Sequence, residues 1–167
     1  MIALRALVAT ALIGSGLLGC SETAPSEPCL SDEPVSVTLP FARLEDVFHE
    51  VQPGLELVRF VFDRSVAGSI TATAEPAAPG HYVEALTDTP VSPSGERLTS
   101  IRIDGLIGGA ATDRVRAGAD QAFAVREIMQ VKEPVGFRWI VGTIAGACTR
   151  LRANPDAGVI VLAVTPS

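Results

Sequence analysis

Metal-binding and thiol chemistry in this 167-residue chain rests on three cysteines and two histidines. His49 and His81 do not fall at H-E-x-x-H or H-x-x-E-H spacing, so a catalytic zinc is not expected and no metal site is assigned. His49-Glu50 stands just before a turn, where a solvated or capping imidazole is the simpler account than a functional one. There is no G-x-S-x-G to present a serine nucleophile. Gly14-Ser15-Gly16-Leu17-Leu18-Gly19 matches G-x-G-x-x-G, but no strand precedes it and no helix follows it, so it is not a nucleotide site. The carboxylate pairs, Glu45 with Asp46 and Asp104 with Asp113, are scattered acids that do not define a glycosidase. With no nucleophile and base at recognisable spacing, the expectation is a protein that is not an enzyme and needs no cofactor.

The remaining thiol chemistry starts at the N-terminus. Arg5 supplies a positive charge, and Ala6 to Leu18 is an uncharged, mostly apolar run with the length of an export signal and too short to span a membrane. It ends in Leu17-Leu18-Gly19-Cys20, which resembles a bacterial lipobox: an apolar residue three before the cleavage bond, a small residue just before it, and cysteine after it. The resemblance implies a thioether to diacylglycerol on Cys20. Residues 1–19 then read as a signal peptide, and the protein is expected at the extracytoplasmic face of the cell membrane, held by lipid. With Cys20 acylated, Cys29 and Cys148 are the two thiols left in an oxidising compartment, and they are expected to pair. The alternatives are a buried thiol at Cys148 or a metal pair, for which two thiols alone are a poor ligand set.

Removing 19 leader residues leaves 148, enough for one domain with a core, and takes the formal charge from −6 to −7. That balance argues against a general nucleic-acid binder. Residues 20–34, rich in Ser and Pro and carrying Glu22, Glu27, Asp32 and Glu33, read as an acidic tether. If Cys29 is tied down, Ser21 to Pro28 keeps the domain within roughly 25 Å of its lipid.

Residues 35–167 must position whatever the domain binds. Short apolar runs, cut every ten or so residues by Gly, Pro or Asp, mark an all-β domain, a sandwich or barrel of about seven strands. In Leu57 to Phe62, Val58, Phe60 and Phe62 share one face and Arg59 takes the other. Further strands are expected over Ser69 to Ala74, His81 to Leu86, Leu98 to Asp104, Ala124 to Lys132, Phe137 to Thr143 and Gly158 to Thr165, with Thr149 to Arg152 a possible eighth. Leu98 to Asp104 places Thr99, Ile101 and Ile103 together, and Val159 to Val164 is apolar on both faces, as in a central strand. Phe41, Leu44, Val47, Phe48 and Val51 recur at helical spacing between Pro40 and Pro53-Gly54, which reads as an amphipathic helix. Ala117 to Ala124 is a helical turn or a loop.

Glu56 to Asp63, preceded by His49 and Gly54 and followed by Gly80-His81-Tyr82-Val83-Glu84, resembles the AMIN-like domain of actinobacterial-type secreted lipoproteins. Val125-Arg126-Glu127-Ile128, the tryptophan strand Gly136 to Gly142 and the closing strand Val159 to Val164 extend the likeness over about Glu45 to Val164. The chain departs from the family pattern at Leu55, Leu57 and Val135. The resemblance implies an all-β fold, makes Leu44 to Val51 a strand rather than a helix, and suggests cell-wall polymer as the ligand.

Charge is uneven: Ser21 to Thr112 carries 5 basic and 14 acidic residues, whereas Asp113 to Ser167 carries 7 and 5. The late arginines Arg126, Arg138, Arg150 and Arg152 lie on strands, and Arg138 with Trp139 and Tyr82 could form an arginine and aromatic face that grips anionic sugar-peptide polymer. The alternative is a solvated sheet face with Trp139 in the core. The expected function is a membrane-anchored envelope module that binds peptidoglycan or an envelope protein. A wall-active hydrolase and a small-ligand carrier are the competing readings.

Overall fold

The computed structural model describes residues 28–109, 114–116 and 122–166. The leader, Cys20, most of the tether and residues 117–121 lie outside the described residues. Within them there are strands and no α-helix: β1 (Val35–Phe41), β2 (Arg43–Gln52), β3 (Leu55–Phe62), β4 (Ala67–Pro76), β5 (Tyr82–Val83), β6 (Pro90–Val91), β7 (Arg97–Asp104), β8 (Gly108–Gly109), β9 (Val115–Arg116), β10 (Val125–Val131), β11 (Phe137–Thr143), β12 (Cys148–Asn154) and β13 (Val159–Thr165).

A six-stranded sheet, β1-β4-β7-β11-β10-β9, and a five-stranded sheet, β12-β13-β3-β2-β8, form a β-sandwich, and β5 with β6 makes a small separate ribbon. The sandwich follows from period-two patterning. Along β3, Val58, Phe60 and Phe62 point inward and are 0–2% exposed, while Arg59 and Val61 on the other face are only partly covered. From the facing sheet, Ile101, Ile103 and Trp139 meet them at 0% exposure. Burying each such side chain stabilises the fold by about 1.5–3 kcal/mol. β13 lies between β12 and β3, which is why Val159 to Val164 can be apolar on both faces.

The stretch that spaces like a helix is strand β2. Leu44 pairs with Phe62 but Asp46 pairs with Val61, so one extra residue is accommodated between them. This bulge resets the alternation and turns both Leu44 and Val47, three residues apart, into the core. Helical spacing and a bulged strand are therefore indistinguishable by position there.

Two other elements differ from expectation. Strand β1 is not evident from sequence because its pattern is weak: it is an edge strand with exposed Ser36 and Thr38, and Pro40 sits at a register shift between Leu39 and Phe41, where a missing N–H is tolerated. The strand expected over His81 to Leu86 shrinks to Tyr82–Val83. After it the chain turns back, with Asp88 at φ 56° and the Glu84 amide donating to the Thr89 carbonyl at 3.0 Å.

Cys29 and Cys148 form a disulfide across 119 residues. The Leu30 amide donates to the Thr149 carbonyl at 2.7 Å, so the last part of the expected tether is fastened to β12.

Candidate functional site

The outward face of the six-stranded sheet carries an ordered set of polar side chains. Strand registers put Ser36 beside Thr73, Thr73 beside Arg102 and Arg102 beside Arg138. The four form one row across β1, β4, β7 and β11, roughly 14 Å long at the usual strand spacing. A second row holds Thr38, Thr71 and Asp104. The reason is the alternation seen in β7: with Ile101 and Ile103 in the core, Ser100, Arg102 and Asp104 must point out.

The side chains are held in place. The Ser36 and Thr73 hydroxyls lie 2.8 Å apart. Arg102 Nε donates to Asp104 Oδ1 at 3.1 Å, with its side chain 53% exposed. Arg138 Nε donates to Ser100 Oγ at 2.8 Å and Nη1 to Glu133 Oε1 at 3.0 Å, leaving the side chain 26% exposed. The Arg138 guanidinium lies 5.9 Å from the centre of the Tyr82 ring, a cation–π distance. Tyr82 donates its hydroxyl to the Ala78 carbonyl at 2.6 Å. The face thus offers two oriented guanidiniums, a hydroxyl ladder and one aromatic edge, donors suited to carboxylates and sugar hydroxyls.

Of the residues expected in a binding face, Arg138 and Tyr82 come together and Trp139 does not join them. Trp139 is 0% exposed, edge-on to Phe60 at 5.3 Å and stacked on Phe137 at 6.3 Å. Alternation along β11 forces this, since neighbours on a strand point to opposite faces. Arg102, Thr71 and Thr73 were not singled out from sequence, although the alternation of β7 carried the signal for Arg102.

Two buried glutamates brace the loops around the sandwich. Glu127, its side chain 0% exposed, accepts from Arg114 Nε and from Arg116 Nε at 3.0 Å, and from the Ser94 amide at 2.5 Å. Burial pushes its pKa up, but the hydrogen bonds from Arg114, Ser94 and Arg116 outweigh this and hold it below the ordinary glutamate value. The Ser94-Gly95 loop lies so close to β11 that a Cβ on Gly142 would sit 1.8 Å from the Ser94 carbonyl oxygen. Glu56, the second residue of β3, accepts from the Ala124 and Val125 amides and contacts His49 Nε2 at 2.9 Å. His49 is therefore not solvated: its ring packs edge-on to Phe123 at 5.7 Å. The second histidine, His81, meets Ser92 through Nδ1 at 3.0 Å. At the surface, hydrogen bonds from Gln52 and Arg59 lower the Glu50 pKa, and those from Ser65, with Arg43 nearby, lower that of Asp63.

Among the described residues no group of three or more His, Cys, Asp or Glu could hold a metal ion. A groove of about 460 Å³ opens where Leu30 to Asp32 meets Glu75 to Ala77 and Ser92 to Thr99, with Asp32, Glu75, Glu96 and Arg97 the charged side chains around it among the described residues. A second, of about 450 Å³, lies on the five-stranded sheet. No protein-family profile matches the chain, and neither a curated protein nor a solved structure does.

Proposed function

We propose that the chain is a lipid-anchored, extracytoplasmic binding module of the bacterial envelope, akin to the AMIN-like lipoproteins it resembles, and that it acts by binding rather than by catalysis. Its anchor is the acylated Cys20, and its ligand is anionic cell-wall polymer, gripped by the outward face of the six-stranded sheet. The row Ser36, Thr73, Arg102 and Arg138 carries this reading. One polar sheet face is ordinary in an antiparallel sheet, but two guanidiniums in register, each oriented by its own acid, are the donors that carboxylates of a sugar-peptide polymer require.

The test is sedimentation of the protein with purified peptidoglycan. The exposed Arg102 and the half-buried Arg138 together are worth about tenfold in affinity. The Arg102→Ala/Arg138→Ala protein should lose about that much while remaining folded at the assay temperature, with a lower Tm because the buried Ser100 and the half-buried Glu133 lose their Arg138 partner. Wild type that fails to sediment, or a double variant that sediments equally well, overturns the reading.

A further inference from the structure

The opposite face of the sandwich has a different character. On the outer side of the five-stranded sheet, Arg150, Ala163, Leu57 and Glu50 form one cross-strand row, and Arg152, Val161, Arg59 and Phe48 form the next. The groove of about 450 Å³ runs over this face on Leu55, Leu57, Val161 and Ala163, and among the described residues the charged ones lining it are Arg150 and Arg152. Phe48 beside it is 37% exposed. Glu50, at the end of the first row, is hydrogen-bonded to Arg59 and Gln52; Arg150 is half-buried and Arg152 exposed, and both also keep contacts within the protein. An apolar floor edged by guanidiniums suits a phosphate with an acyl chain beneath it better than a soluble anion.

The chain's own connectivity says what this face meets. Cys148 opens β12 and is bonded to Cys29, and Arg150 Nη2 lies 3.9 Å from Cys29 Sγ. Only eight residues separate Cys29 from Cys20, a reach of roughly 25 Å. A membrane attached at Cys20 is thus always within a few nanometres of Arg150. We infer that the Arg150 and Arg152 face docks on the anionic phospholipid surface that holds the lipid anchor, with the guanidiniums on lipid phosphates. This inference rests on the acylation of Cys20. Docking there turns the Arg102 and Arg138 face away from the membrane, so both surfaces can be occupied at once. Each guanidinium near an anionic leaflet changes the docking equilibrium by roughly fivefold.

The acylated chain should be reconstituted into vesicles of phosphatidylcholine, alone or mixed with phosphatidylglycerol, treated with phenylglyoxal and read arginine by arginine by mass spectrometry. Flotation with the vesicles is checked first. With phosphatidylglycerol present, Arg150 and Arg152 should react roughly fivefold more slowly than in phosphatidylcholine, and about 1 M salt should abolish the difference. Arg102, on the opposite face, is the internal control and should react equally in both. Protein that floats but shows equal Arg150 and Arg152 reactivity in the two lipids refutes docking and leaves the anchor standing. Protein that does not float refutes the anchor, and the docking with it.

Discussion

Replacing the buried Glu127 of β10 by alanine should destabilise the domain more than replacing any charged residue of its surface loops. The carboxylate is fully buried and ties two segments to β10: the loop before β7 through Ser94, and the β9 segment through Arg114 and Arg116. Removing one partner of a buried ion pair costs about 3–5 kcal/mol, because the other charge is left without compensation. Arg114 keeps 14% of its side chain exposed and Arg116 61%, so water can take over part of their solvation and the low end, about 3 kcal/mol, applies. At about 4 °C per kcal/mol for a domain of this size, Tm should fall by about 12 °C. Glu127→Gln keeps an acceptor for the Ser94 amide but loses the charge, and should fall between the two. The pH dependence has a definite sign. Folding lowers the Glu127 pKa, so its stabilisation is complete above the ordinary glutamate value of about 4.3 and is lost as pH falls through the folded value. Urea unfolding of wild type and Glu127→Gln at neutral pH and at about pH 3 should show the gap between them closing in acid. A gap below about 0.5 kcal/mol at neutral pH, or one that does not narrow in acid, would refute this account of the buried carboxylate.

Other perturbations read different parts of the fold. Cys29→Ser should cost about 2–4 kcal/mol, and reductant should bring wild type to the same unfolding midpoint while leaving the variant unchanged. Trp139→Phe should lower stability by about 1–3 kcal/mol and leave peptidoglycan sedimentation at the wild-type level once the protein is folded, since the ring belongs to the core and not to the proposed binding face. Gly142→Ala should displace the Ser94-Gly95 loop and cost at least about 1–3 kcal/mol, visible as faster hydrogen exchange in residues 92–97.

Much of the sandwich was legible because its strands alternate. Val58, Phe60 and Phe62, and Thr99, Ile101 and Ile103, could be assigned to one face by position alone, and the structure buries all six. What could not be read were departures from alternation. The bulge between Leu44 and Asp46 imitates helical spacing, and the polar edge strand β1 offers its apolar residues to only one neighbour. The proposed binding face was half legible. Tyr82 and Arg138 are distant in sequence yet meet in space, whereas Trp139 was grouped with Arg138 by adjacency, the one relation that a strand guarantees to be false for facing. Glu56 and Glu127 could not be distinguished from solvated acids, because the backbone amides they cap lie 68 and 33 residues away at Ala124 and Ser94. The Cys29 and Cys148 pair was accessible for a chemical reason: if the lipobox resemblance assigns Cys20 to lipid in an exported chain, two thiols are left to pair.

The central proposal is that wall polymer lies on the outward face of the six-stranded sheet. The most direct measurement is an NMR titration of the isotope-labelled protein with soluble peptidoglycan fragments. Shifts concentrated at Thr71, Thr73, Arg102 and Arg138, with the Arg150 and Arg152 face unmoved, are the result expected. Saturating fragment that moves no resonance, or that moves only those of the five-stranded sheet, would contradict it.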